Sequence, residues 1–222
     1  MVKDNPGILI LSIILIFSIN LALGNIQDRL LTDLTLQSII FTIAAYLFQM
    51  GLNLGLVRIC LNILYGREAS AQQLFGSFHI LIFYAAGSIL FLLIVLVGAL
   101  PGIILLMMTV AGDVDALMDP GTFSGMFIVF PVALIIIPAV YISIRLQYYD
   151  YFLVDEECGP IEALLKSMVC TKGYVMELFL LGTTVSIIIL ISIVPLGLGL
   201  FLSIPLATMV NTYVYNLLKT AT

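Results

Sequence analysis

Charge is scarce in this chain. Only 9% of its 222 residues are Asp, Glu, Lys or Arg, while 62% are hydrophobic and mean hydropathy is +1.23. A soluble domain covers itself with charged residues amounting to roughly a quarter of its sequence. A water-covered globule is therefore excluded, and the long apolar runs face lipid. Basic clusters are missing too, which removes the usual electrostatic footprint of a nucleic-acid partner. The net charge of −5 says little about partners, because the position of charge matters more than its sum in such a chain. Histidine occurs once, at His79, and cysteine three times, at Cys60, Cys158 and Cys170. An odd number at no short spacing argues against a disulfide framework. A zinc site takes about four N, S or O ligands, and these scattered residues do not furnish one. Reduced thiols near the inner membrane face, with no metal and no cofactor, are the expectation. The motifs H-E-x-x-H, P-loop and G-x-S-x-G are absent. Nothing supplies a nucleophile with a base and an orienter, so the chain reads as non-enzymatic.

What is present is apolar sequence in runs of membrane-crossing length. The reading is all-α: one integral membrane domain over residues 1–222, with six spans at about 6–24, 34–64, 79–98, 124–153, 174–194 and 197–218. Asn5 and Pro6 open the first helix as N-cap and first helical residue. Its apolar run is longer than the ~7–15-residue core of a secretory signal, so an uncleaved span is expected. Gly98 and Pro101-Gly102 are expected to break the third run, which otherwise continues to Val110. Pro195-Leu196-Gly197 is expected to turn the fifth span into the sixth.

The cations orient the bundle. With the N-terminus inside, Lys3, Arg58, Arg67, Arg145, Lys166, Lys172 and Lys219 fall inside and only Arg29 falls outside, as the positive-inside rule requires. Both termini are then cytoplasmic, in the inner (cytoplasmic) membrane. Asp113, Asp115 and Asp119 lie in an outer loop that lacks the further ligands and glycine of a calcium loop. A solvated loop is the expectation.

Two inner connectors echo one another. After Arg58 comes Ala71, Leu74, Phe75 and Phe78; after Arg145 and Gly159-Pro160 comes Ile161, Leu164, Leu165 and Met168, at the same i, i+3, i+4, i+7 spacing. The echo suggests an internal pseudo-repeat, with two amphipathic helices lying flat at the cytoplasmic interface. Glu162 and Lys166 form an i,i+4 pair on the wet side of the second. Gly55-Leu-Val-Arg58, Leu74-Phe75, Leu100-Pro101-Gly102-Ile103, Tyr141-Ile-Ser-Ile-Arg145, Gly159-Pro160-Ile-Glu162-Ala163-Leu164, Ser167 and Thr171-Lys172-Gly173 resemble a family of uncharacterised prokaryotic polytopic membrane proteins. A similar module forms the membrane domain attached to some glycerophosphodiester phosphodiesterases. The resemblance implies a membrane fold over most of residues 50–185. It transfers no phosphodiesterase activity, since no catalytic domain is present.

Several polar residues could carry function. On the second span Thr42, Tyr46, Gln49 and Asn53 fall on one face and Gly51 and Gly55 on the opposite one. This pattern suits a helix buried in the bundle, with the stripe either lining a substrate path or bonding neighbouring helices. Arg58 and Arg145 lie near inner span ends, where they either snorkel, bind lipid phosphate, or pair with Asp150 or Asp155. His79 reads as an interfacial hydrogen-bonding residue, and Glu177 lies one turn into the fifth span. Two functions compete. One is a scaffold, assembly or accessory component that contacts membrane lipids, a membrane-protein partner or a second copy at the cytoplasmic face. The other is a small carrier or lipid-handling transporter built on the polar stripe and the proline-bearing fourth span. A carrier needs a water-accessible polar cavity near midplane.

Overall fold

A computed structural model gives the fold, and it describes residues 6–30, 36–112, 124–193 and 199–221. Among these residues the architecture is all-α, without strands. The α-helices are α1 Pro6–Leu30, α2 Leu36–Leu64, α3 Leu81–Gly112, α4 Ser124–Leu146, α5 Tyr149–Glu156, α6 Pro160–Cys170, α7 Val175–Ile193 and α8 Leu200–Ala221. Five stretches are long and apolar enough to cross a membrane: Gly7–Gln27, Leu36–Leu64, Ala71–Thr109, Val129–Glu156 and Val175–Ile193. The sixth expected span is helical, as α8, but lies outside those five; its second half carries Asn211, Thr212, Asn216 and Lys219. The expected outer loop with Asp113, Asp115 and Asp119 and the expected turn at Pro195-Leu196-Gly197 lie outside the described residues.

Three boundaries differ from the sequence expectation. First, α3 runs through Pro101 to Gly112 without the expected break. An interior proline costs a hydrogen bond, but packed neighbours make it tolerable in a membrane helix. Here α4 is that neighbour. A Cβ on Gly102 would lie 2.6 Å from the Ile135 backbone nitrogen, and one on Gly98 would strike the Ile142 side chain. These glycines permit close helix packing, the main source of helix association where lipid surrounds both partners.

Second, the helix of the fourth span is interrupted: α4 ends at Leu146 and Gln147 and Tyr148 form a turn before α5, although the apolar stretch Val129–Glu156 runs on past the expected end near 153. Residues of α6 hold that turn. The hydroxyls of Ser167 and Thr171 each donate to the Arg145 carbonyl at 3.0 Å, and the Tyr148 N–H donates to Ser167 Oγ at 3.2 Å.

Third, the first connector is not one flat amphipathic α-helix. It forms two 3-10 helices, Ala71–Phe75 and Phe78–Ile80, strapped along α2. Leu74 is fully buried with its backbone against Gly55, where a Cβ would clash, and the Phe78 ring lies against Gly51. Phe48 of α2 completes an aromatic group with Phe75 and Phe78, at centroid distances of 6.5 and 5.6 Å. The two connectors therefore differ in element type.

The larger buried core sits where helix ends meet. It joins Leu54, Val57 and Leu61 of α2 to Phe152, Leu153 and Val154 of α5, Leu164 of α6, Leu178 of α7, and Tyr215 and Leu218 of α8. Tyr151 and Phe152 pack on the Tyr215 ring at 5.2 and 5.0 Å. Away from α2 the lipid-length helices bury far less: α7 buries Leu178 alone among its described residues.

Candidate functional site: a polar lattice at the helix ends

Every Asp, Glu, Lys, Arg and His side chain that the structure describes lies in a connector, in α5 or α6, or within about two turns of a helix end. Three consecutive carboxylates, Asp155, Glu156 and Glu157, gather four of the basic side chains, Arg58, His79, Lys166 and Lys219.

Asp155 closes the last turn of α5 and is largely buried. Its Oδ2 accepts from Tyr65 Oη at 3.0 Å, Tyr215 Oη at 3.0 Å and Lys219 Nζ at 2.7 Å. One oxygen thus ties α5 to the end of α2 and to α8. Burial, and then the adjacent Asp155 charge, raise the Tyr65 hydroxyl above its ordinary pKa. Glu156 takes Lys219 at 2.7 Å and Lys166 at 2.6 Å, and Lys166 also reaches Glu162 at 2.6 Å, the expected i,i+4 pair. Hydrogen bonds to Glu156 and Glu162 raise the Lys166 pKa. It stays charged throughout the physiological range.

Glu157 follows α5 in the left-handed region, at φ +48°, a conformation that costs a non-glycine residue about 1–2 kcal/mol. Its Oε1 lies 3.1 Å from Arg58 Nη2 and 3.4 Å from His79 Nε2. The Gly76 carbonyl takes the other side of the same pair, 3.2 Å from Arg58 Nη1 and 3.0 Å from His79 Nδ1. Arg58 and His79 therefore share two acceptors. They fasten the strap and the start of α3 to the α5–α6 turn.

The sequence-nominated residues are thus only partly brought together. The carboxylate opposite Arg58 is Glu157, and neither Asp150 nor Asp155 pairs with an arginine. Asp150 lies in the first turn of α5 and accepts the Tyr151 N–H at 2.9 Å. Arg145 has a buried Nε without a partner. The polar stripe of α2 does not sit in the bundle interior: Tyr46 is 61% exposed, Asn53 is exposed and Gln49 is half-buried, while Thr42 bonds back to the Ser38 carbonyl at 2.8 Å. Gly51 and Gly55 make their close contacts with the strap. An open groove of ≈ 440 Å³ lies elsewhere, between α4 and α7, with Ser143, Gln147, Thr183 and Ser186 among its lining.

Sequence reasoning missed Glu157, Tyr65, Tyr215 and Lys219 as members of the lattice. The run Asp155-Glu156-Glu157 was the available signal, since three adjacent carboxylates are conspicuous in so apolar a chain. Ser167 and Thr171 enter the sequence pattern only as motif residues, although their i,i+4 spacing puts both hydroxyls on one face.

The profile described as "Protein of unknown function (DUF975)" matches residues 3–222. The chain belongs to the DUF975 family. That family is uncharacterised, as the resemblance implied, and the match shows no link to glycerophosphodiester phosphodiesterases. Comparison with curated proteins and with solved structures finds no match. For this DUF975 chain the lattice is consequently the principal guide to function. Its carboxylates are engaged by cations and tyrosine hydroxyls that join separate helices, an arrangement suited to holding a rigid surface in shape.

Proposed function

We propose that this chain is a six-span, non-enzymatic component of the inner membrane, with both termini cytoplasmic. Its packed inner end serves as a scaffold or accessory surface against lipid or a partner membrane protein. The observation that carries the reading is the placement of order. The larger core and the ion-pair lattice lie together at the helix ends, and α6 on their outside exposes Ile161, Leu165 and Val169 at 64%, 57% and 57%. An apolar helix face beside charged residues is the chemistry of an interfacial helix. The sixth crossing is supported by the two ends of α8. Gly199 abuts Ser192 at the end of α7, whereas Lys219 reaches Asp155 in the lattice.

The test uses the absence of native tryptophan. Leu165→Trp in the full chain, reconstituted in vesicles, should be quenched by lipids brominated on the acyl chain near the headgroup. Emission typical of water, unquenched by any brominated lipid, would reject the lipid-facing platform.

The groove between α4 and α7 favours a second reading, a lipid-handling carrier. It does not involve the α2 stripe. Gln49→Leu and Asn53→Leu should therefore leave any lipid movement across vesicles unchanged, whereas Gly182→Leu, at a groove-lining position, should slow it.

A further inference from the structure

We infer that Arg145 and Lys172 together bind the phosphate of an anionic phospholipid in the leaflet that α6 faces. This rests on the proposed membrane-facing platform and names its ligand. The other described cations are already engaged. Arg58 pairs with Glu157, Lys166 with Glu156 and Glu162, Lys219 with Asp155 and Glu156, and Arg67 lies over the Tyr65 ring at 5.0 Å. Among the described residues, Arg145 and Lys172 have no carboxylate within ion-pair distance. Asp150 and Glu177, the acidic residues nearest to them in sequence, make no ion pair with either.

The fold brings the backbones of these two residues together. Thr171 donates its hydroxyl to the Arg145 carbonyl, and Lys172 is the next residue along the chain. The Arg145 guanidinium is near enough to the Cys170 thiol to act on it electrostatically. Its Nε is a buried donor without a protein acceptor. A buried polar group of this kind is normally satisfied, and a guanidinium fork matches phosphate oxygens in geometry and charge. The surroundings fit the rest of a lipid. Val169, Tyr174 and Met176 are 57%, 45% and 67% exposed beside the site, and a cytoplasmic leaflet rich in anionic lipid favours cations at its surface.

The experiment titrates the purified full chain in detergent with phosphatidylglycerol, phosphatidylcholine and inorganic phosphate, counting retained lipid by native mass spectrometry. Arg145→Gln and Lys172→Gln should each weaken phosphatidylglycerol retention about fivefold, and the double variant about twentyfold. Arg145→Lys should recover only part of the binding, because it restores the charge but not the guanidinium fork. Arg58→Gln should leave retention unchanged, because Arg58 is engaged by Glu157. Should Arg145→Gln fail to fold, the exposed Lys172→Gln still decides. Wild-type retention by Lys172→Gln or by the double variant overturns the site, as does an equal loss in Arg58→Gln. Displacement of the lipid by millimolar inorganic phosphate also overturns it, since the site then takes the free anion. The Leu165→Trp measurement separates the two levels. Quenching with unaltered lipid retention removes this site and leaves the platform; loss of both removes the platform.

Discussion

The Thr171 hydroxyl shares its one proton between the Arg145 carbonyl at 3.0 Å, 26 residues away, and the Ser167 carbonyl at 2.7 Å. The Ser167 hydroxyl donates to the same Arg145 oxygen. A single loss leaves the carbonyl with one hydroxyl donor, whereas a double loss removes both. Ser167→Ala and Thr171→Val should each lower stability by about 1 kcal/mol, and the double variant should cost more than their sum. Thermal unfolding in one detergent measures the cycle; strict additivity would show that the two hydroxyls act independently.

The Asp155 oxygen that gathers Tyr65, Tyr215 and Lys219 makes a second prediction. Asp155→Asn removes the charge that faces Lys219 and weakens both tyrosine bonds. A loss of about 2 kcal/mol is expected, between an ordinary charged hydrogen bond and a fully buried pair, because Lys219 is partly exposed. Tyr65→Phe should cost about 1 kcal/mol. Unfolding midpoints that do not move would mean that the end of α8 is held by its apolar contacts alone.

Glycines on the same fold should respond oppositely. At Gly55 a Cβ collides with the Leu74 backbone, whereas at Gly182 nothing lies within 4 Å. Gly55→Ala should destabilise by about 1–3 kcal/mol through overpacking. Gly182→Ala should stabilise by up to about 1 kcal/mol through helix propensity. Equal effects at the two positions would contradict the strap's packing on α2.

Sidedness is accessible through the thiols. Cys60 and Cys170 are buried and Cys158 is partly exposed, with its pKa raised by burial. An impermeant maleimide should label Cys158 slowly at neutral pH, faster as pH rises and the thiolate forms, and only in inverted vesicles. Labelling in right-side-out vesicles would reverse the orientation.

Composition alone determined the solvent of this protein. A chain with 9% charge and long apolar runs has no means of covering a core with water-facing groups. Helix length follows from bilayer thickness, so the approximate positions of the apolar helices were readable from the runs themselves. Proline and glycine were read less well. Pro101 is compatible with a break or with a packed helix, and only the approach of α4 to Gly98 and Gly102 decides between them. The polar stripe of α2 was likewise a set of angles on one helix, and which side the neighbours occupy is a property of the assembled bundle. Pairing was the least readable feature. Arg58 had Asp150 and Asp155 as expected partners, but a side chain selects its partner at about 3 Å. That selection awaited the α5–α6 turn, where the left-handed backbone of Glu157 presents its carboxylate to both Arg58 and His79.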